Sequence, residues 1–322
     1  MSTSDASPKI RVLITMHPGM DTLDFAGPLE VLSQARHRID DEGKQFSIFQ
    51  MAWALQAMKP PPFHPPSRMA HAKTRRTIPS RAFSIEFVSA TEETSTAQGA
   101  VLKAHMNYKA AYTCLSDYDI LVVPGGAIDD IIKSRSEPLG LITAYSEIQK
   151  KDPKRERTIL SICTGSIFLA HQGILSGLKA TTHPDYYAKF EKICSETAKR
   201  DLTERCDVVE ERYVVNNLRY DLGENPDENP YVHRKSDTRK QSLGRSGSDA
   251  FQESNRRRES IARRAAIRLG GLRVITSGAM TCSLDASLYL VRIMVSTEAA
   301  AEIERIMMYE WKKGVVVDGI DV

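Results

Sequence analysis

Residues 158–171 have the sequence TILSICTGSIFLAH, and this stretch decides the fold. Its apolar start, Thr158–Ile162, predicts a buried strand, and Ile167–His171 predicts the helix that follows a tight turn. A strand, a sharp turn and a helix in this order place Cys163 at the carboxyl edge of a sheet, beside the free amides of a helix N-terminus. The pattern predicts a nucleophile elbow that favours thiolate over thiol, although a small buried structural cysteine also fits it.

Strand-like runs alternate with helical stretches along the chain. Most are short, apolar and nearly uninterrupted, as strands of a parallel sheet covered on both faces should be. The runs are Lys9–Met16, Phe83–Ala90, Asp119–Val123, Thr158–Ile162, Lys179–Thr182, Arg212–Asn216 and Leu272–Thr276. They predict one α/β domain over residues 9–315 with an open, mostly parallel sheet, in which ligands bind at the carboxyl ends of the strands.

Composition excludes several classes of partner. The 322 residues include 44 basic and 41 acidic side chains, a formal charge of +3, so nothing indicates nucleic acid or an anionic membrane. Met1–Ser7 lacks the basic and apolar regions of a signal peptide, and no run is long enough to span a membrane, so we expect a cytoplasmic protein. Five cysteines without the close spacing of a zinc site are typical of reduced thiols.

Two segments do not fit the predicted domain. Residues 58–81 are rich in proline and lack any period, which predicts an irregular insertion. Residues 221–264 hold few large apolar side chains, which predicts disorder. Because Phe46–Phe49 and Phe83–Phe87 both resemble the start of the same second strand, residues 51–81 are either an inserted loop or an unremoved intron.

Four stretches resemble one family. Ile162–Gly165 followed by Lys179–Pro184 is similar to the nucleophile region of the ThiJ/PfpI superfamily, relatives of the class I glutamine amidotransferases. Leu23–Leu32 resembles the N-terminal signature of the branch that contains isonitrile hydratase. Further similarities are the oxyanion loop Pro124–Gly126 and the C-terminal helix start at Thr276–Ala279 and Leu284–Leu288. The resemblance implies a flavodoxin-like three-layer sandwich and a homodimer.

The resemblance also assigns candidate site residues. Cys163 matches the nucleophile and Asp24 its acidic partner, which near a thiolate is expected to be protonated and to act as a general acid. The alternative for Asp24 is the N-cap of a helix over residues 25–36. Backbone amides near Gly126 and Thr164 are the predicted donors to a developing anion. The Thr164 hydroxyl either orients substrate or bonds locally.

Three further side chains are candidates for the site on weaker grounds. His183 ends a predicted strand and is expected first as a neighbour of the site and second as a base. His17 either lines the pocket or is solvated, and Cys282 is either a second thiol or filler at a helix start. Because no metal-ligand spacing or phosphate-binding loop is present in the sequence, we expect no metal and no cofactor.

These residues predict a cofactor-independent cysteine enzyme with a small-molecule substrate. By resemblance the leading activity is isonitrile hydration, a lyase reaction that yields an N-substituted formamide. A glyoxalase or deglycase acting on 2-oxoaldehydes fits the same cysteine and acid. A non-enzymatic redox sensor that uses Cys163 is the alternative from a different class.

Overall fold

A computed structural model describes residues 9–39, 45–46, 80–152, 155–217 and 272–318. Both predicted irregular segments therefore lie outside the described residues, apart from Ser80 and Arg81. These two residues form a short strand that pairs with Arg36 and His37.

The strands agree closely with the apolar runs of the sequence. They are β1 (Ile10–Thr15), β2 (Arg36–Ile39), β3 (Gln45–Phe46), β4 (Ser80–Arg81), β5 (Phe83–Ser89), β6 (Glu93–Ser95), β7 (Val101–Lys103), β8 (Met106–Asn107), β9 (Ile120–Val123), β10 (Thr158–Ile162), β11 (Lys179–Ala180), β12 (Asp207–Val208), β13 (Tyr213–Asn217), β14 (Arg273–Ser277) and β15 (Val315–Asp318).

Eight of these strands form one open sheet in the order β15-β13-β14-β10-β9-β1-β5-β8. Neighbours pair in parallel except β13 and β14, which are antiparallel. The prediction of an open, mostly parallel sheet is confirmed. One predicted strand is placed differently: β11 pairs with β12 in a separate two-stranded sheet, because only two of its residues are extended.

The helices cover both faces of the large sheet. They are α1 (Thr22–Gln34), α2 (Tyr108–Cys114), α3 (Asp129–Ser134), α4 (Leu139–Lys151), α5 (Gly165–His171), α6 (Tyr187–Arg200), α7 (Cys282–Met294) and α8 (Thr297–Met307), with short 3₁₀ turns at Leu115–Asp117 and Pro184–Tyr186. No helix among the described residues is long and apolar enough to cross a membrane.

Alternation along the strands separates two cores. In β1, Leu13 belongs to one buried cluster with residues of α2, α4, α5 and α6, whereas Val12 and Ile14 belong to another with α1, α7 and α8. Successive strand residues point to opposite faces, so a strand that is apolar throughout feeds both clusters. The result is the predicted flavodoxin-like sandwich of helices, sheet and helices.

Candidate active site

Cys163 occupies the sharp turn between β10 and α5. Its φ of 56° lies in the left-handed region, which residues other than glycine seldom adopt. Its backbone N–H is shared between the carbonyl oxygens of Ser277 and Gly278, each 3.0 Å away, so the end of β14 holds the strained turn in place. Strain of this kind is typical of functional sites, and the predicted elbow is present.

Asp24 reaches the elbow from the first turn of α1. Its side chain is fully buried, and Oδ2 accepts a hydrogen bond of 3.1 Å from the Gly125 N–H. A carboxylate oxygen of Asp24 lies within 4.8 Å of the Cys163 sulfur. The N-cap position belongs to Asp21, since α1 begins at Thr22 rather than at residue 25, so the capping alternative for Asp24 was wrong.

Burial changes the proton affinity of the Asp24 carboxyl. Burial, and then the negative charge of Asp21, raise its pKa to about 7, against the opposing hydrogen bonds from the Gly125 N–H and the Cys163 thiol. A carboxyl with a pKa near neutrality can both accept and donate a proton at physiological pH. Asp24 therefore suits acid and base roles alike.

The Cys163 thiol does not match the expected charge state. Burial and the nearby charge of Asp24 raise the pKa of this thiol, and the hydrogen bond from the Thr164 N–H opposes them only in part. Only 3% of the residue is exposed, so the cost of removing a thiolate from water exceeds the gain from the helix N-terminus. The sequence prediction of a resting thiolate was therefore wrong.

Thr164 and Gly126 are bonded to each other. The Gly126 N–H donates to Thr164 Oγ1 at 2.8 Å, and the same hydroxyl donates to the Gly126 carbonyl at 3.1 Å. The Gly126 amide predicted to face an anion is thus already engaged, and its observed role is to hold the elbow. Of the two predicted amide donors, the Thr164 N–H is the one that favours the ionised form of the Cys163 thiol and so opposes the rise in its pKa. The hydroxyl of Thr164 bonds to the backbone of Gly126, 38 residues away in the chain, and not locally as one alternative had it.

Glycine is required where the loops meet. Gly126 has a φ of 124°, and a Cβ there would lie 2.4 Å from the Gly19 carbonyl oxygen and 2.5 Å from Met20 Cα. A Cβ on Gly165 would lie 2.3 Å from the Val123 carbonyl oxygen. These contacts bring the ends of β1, β9 and β10 together at one edge of the sheet.

The two candidate histidines lie in different surroundings. His183 Nδ1 accepts a hydrogen bond of 3.2 Å from the Asp185 N–H, and its ring packs edge-on against Tyr186. His183 is thus bonded within its own turn, while its neighbour Thr182 donates to the Cys163 carbonyl at 3.1 Å. His17 is buried rather than solvated, and burial lowers its pKa.

Asp21 is a site residue that the sequence analysis missed. One atom from each of the Asp21, Asp24 and Cys163 side chains lies within 4.8 Å of the others. The available signal was the spacing of three residues between Asp21 and Asp24, which puts both carboxylates on one side of a helix start.

Arg212 forms an ion pair with Asp285 in the first turn of α7, the helix that begins at Cys282. Asp285, fully buried in α7, pairs with Arg212 at 2.5 Å and accepts from the Tyr309 hydroxyl at 3.0 Å. Cys282 begins the same helix, is buried, and has a raised pKa chiefly because of that burial, with a small contribution from the charge of Asp24. The second thiol therefore lies near the site.

The elbow, the buried acid and the sheet order can be compared with known proteins. Residues 72–217 match the DJ-1/PfpI family. DJ-1 from Schizosaccharomyces pombe has a similar fold, with a TM-score of 0.50, 13% identity, and coverage of 94% of this chain and 100% of that one.

Two further solved structures resemble this chain at similarly low sequence identity. A ThiJ/PfpI family protein from Pseudomonas syringae gives a TM-score of 0.48 at 15% identity, covering 95% of this chain and 77% of that chain. DJ-1beta from Drosophila melanogaster gives a TM-score of 0.48 at 11% identity, and the alignment covers 94% of this chain and 100% of that chain. No match to a curated protein sequence was found.

Proposed function

We propose that this protein is a cofactor-independent cysteine enzyme that acts on a small electrophile, with isonitrile hydration as its reaction. The observation that carries the proposal is the buried pair of Asp24 and Cys163, whose carboxylate oxygen and sulfur lie within 4.8 Å of each other at a strained elbow. The isonitrile branch is supported by the resemblance of Leu23–Leu32 and of Cys163–Gly165 to isonitrile hydratase.

In the first step the thiol adds to the terminal carbon of the isonitrile R–N≡C. The thiol proton passes to the Asp24 carboxylate as sulfur attacks, and Asp24 then delivers it to the same carbon. The product is a thioimidate, R–N=CH–S, on Cys163, and Asp24 regains its starting charge. A carboxyl with a pKa of about 7 suits this transfer, because it binds and releases a proton near neutral pH.

In the second step water adds to the thioimidate carbon. A proton moves to nitrogen, the carbon–sulfur bond breaks, and the N-substituted formamide R–NH–CHO leaves while the thiol is restored. The sum is isonitrile plus water to formamide, with no oxidant or reductant. The Thr164 N–H, which favours the ionised form of the Cys163 thiol, stabilises the charge that develops on sulfur as the bond forms and breaks.

A redox-sensing role for Cys163 has less support. Oxidation of cysteine follows thiolate character and exposure. The Cys163 side chain is almost fully buried, and burial raises its pKa. Both features favour a thiol that reacts inside a pocket with a bound molecule, where a neighbouring carboxyl takes its proton.

Turnover of a panel of aliphatic and aromatic isonitriles tests the proposal, with formamide followed by mass spectrometry. We expect formamide from the wild type and less than a few per cent of that rate from Cys163→Ala. A parallel panel of 2-oxoaldehydes, read for hydroxy acids, distinguishes glyoxalase chemistry. Equal formamide production by the two proteins would contradict the proposal.

The cysteine near the site provides a matched control. Cys282→Ala removes a second buried thiol without touching the elbow, so its rate should stay close to that of the wild type. A loss in Cys282→Ala as large as in Cys163→Ala would remove the special role assigned to Cys163.

A further inference from the structure

Two carboxyl groups, not one, lie beside the Cys163 thiol. Asp21 immediately precedes α1 and Asp24 lies in its first turn, and ligand atoms of both fall within 4.8 Å of one another and of Cys163. Asp24 is fully buried, whereas Asp21 is half-buried. Two carboxylates at this separation repel each other, and the more buried one gives up its charge first.

Asp21 is free to exert its charge on Asp24. Although it occupies the N-cap position, its side chain makes no capping hydrogen bond to α1. Its Oδ1 instead accepts a hydrogen bond of 2.6 Å from the side-chain amide of Gln98. The same amide group of Gln98 accepts from the backbone N–H and the hydroxyl of Thr22, each at 2.8 Å. Gln98 thus orients Asp21 without neutralising it.

The hairpin that carries Gln98 is fastened to the site loop. Gln98 lies at the turn between β6 and β7, and next to it the Ala97 N–H donates to the Met20 carbonyl at 2.9 Å. On the other side of the loop, the Gly19 N–H donates to the Ser95 carbonyl at 2.9 Å. These bonds fix the position from which Gln98 reaches Asp21.

We propose that Asp21 is a positioning residue of this site, whose ionised carboxylate, oriented by Gln98, sets the proton affinity of Asp24 so that the Asp24–Cys163 pair transfers its proton near neutral pH. This inference rests on the proposed function of Asp24 and Cys163 and adds a residue that acts through Asp24.

Among the described residues, three further titratable groups on neighbouring elements add no unpaired charge at neutral pH. His17, from the loop after β1, has its pKa lowered by burial and is neutral. Cys282, from the start of α7, has its pKa raised by burial and is also neutral. Arg212 is paired with Asp285. The raised pKa of Asp24 agrees with this arrangement, since burial and then Asp21 are its main causes.

Asp21→Asn tests the inference, because asparagine keeps an oxygen for Gln98 and removes only the charge. The Asp24 carboxyl is titrated by carbon-13 NMR in the wild type and the variant, and the rate of Cys163 alkylation by iodoacetamide is measured over pH 5–9. We expect both midpoints to move to lower pH by about one unit in Asp21→Asn. Asp21→Ser, which also suits an N-cap, should give the same shift.

Glu30→Gln is the matched control, because Glu30 is an exposed carboxylate on the same helix that bonds Gln34. In Glu30→Gln, the midpoints of the Asp24 titration and of Cys163 alkylation should equal those of the wild type. Unchanged midpoints in both Asp21 variants would overturn the inference. The NMR titration needs no turnover, so it decides the role of Asp21 even if Cys163→Ala retains activity and the proposed function fails.

Discussion

The Asp24 carboxyl and the Cys163 thiol lie within 4.8 Å of each other where almost no water reaches either group. The charge of Asp24 raises the cost of ionising Cys163, whereas the neutral thiol favours the Asp24 carboxylate, so the pair resists carrying two negative charges. A single proton that passes between oxygen and sulfur is the simplest way for this pair to produce a nucleophile. The predictions below test the pair and the loops that hold it.

Asp24→Asn should change the dependence of stability on pH. The pKa of Asp24 is raised in the folded protein to about 7, from 3.8 without the surrounding structure. Stabilisation by the protonated carboxyl is therefore complete below about pH 4 and is lost as pH rises to 7. Above pH 7 the variant should be more stable than the wild type, by up to about 4 kcal/mol. Urea unfolding at pH 4, 6 and 8 measures the difference.

The same variant should lose most turnover, because an amide cannot relay the thiol proton. A gain in stability at pH 8 together with lost activity is expected of a residue kept for function. If the stability difference between the two proteins stays constant from pH 4 to 8, the raised pKa of Asp24 is refuted.

Thr164→Val should destabilise the elbow. It removes the hydroxyl that accepts from the Gly126 N–H at 2.8 Å, and an unpartnered buried amide costs about 1–3 kcal/mol. Thr164→Ser retains the hydroxyl, so its loss of stability should be much smaller. Thermal unfolding of the two variants compares them directly, and equal losses would show that the bond to Gly126 does not matter.

Gly126→Ala should be costly for steric reasons. The added Cβ would lie 2.4 Å from the Gly19 carbonyl oxygen, at a φ of 124°. We expect a loss of about 3 kcal/mol or more in the free energy of unfolding. Gly99→Ala is the control, because Gly99 also has a positive φ, 86°, but nothing within 4 Å of the added atom. It should lose about 1 kcal/mol. A cost at Gly126 no larger than at Gly99 would contradict the close approach of the loops.

Removal of residues 218–271 should leave the sheet intact. Asn217 and Arg273 are partners in the antiparallel pair of β13 and β14, so the chain leaves and re-enters the sheet at adjacent positions. A short Gly-Ser loop that keeps Leu272 can therefore close the hairpin at small entropic cost. Cooperative unfolding and unchanged Cys163 alkylation are expected. Loss of a cooperative transition would mean that the segment belongs to the folded unit, and altered alkylation alone would place it over the site.

The sequence predicted the parts of the fold that depend on local pattern. Thr158–Ile162 was predicted with its observed bounds, because a strand buried on both faces is a continuous apolar run. Lys179–Thr182 was assigned to the main sheet because its apolar run was too short to show which strand it pairs with. Asp24 was found through resemblance, since a helix start is an ordinary place for aspartate.

The sequence did not predict contacts between segments that are distant along the chain. The bond between Gln98 and Asp21 joins a hairpin turn to a helix start, and no periodicity connects them. The engaged Gly126 amide and the raised pKa of Cys163 likewise depend on how tightly three loops pack. Burial of a charge is a property of the assembled site. The local pattern around Cys163, which favours thiolate, therefore did not predict that the pKa of this thiol is raised.

The central claim is that Cys163 adds to the carbon of a small electrophile with Asp24 as its proton partner. The most direct measurement is intact and peptide mass spectrometry after brief incubation with isonitriles and, separately, 2-oxoaldehydes, in the wild type, Cys163→Ala and Asp24→Asn. The account predicts an adduct on Cys163 in the wild type with release of product, a slower adduct in Asp24→Asn, and none in Cys163→Ala. Product formed at the wild-type rate by Cys163→Ala, or adducts confined to other cysteines, would contradict it.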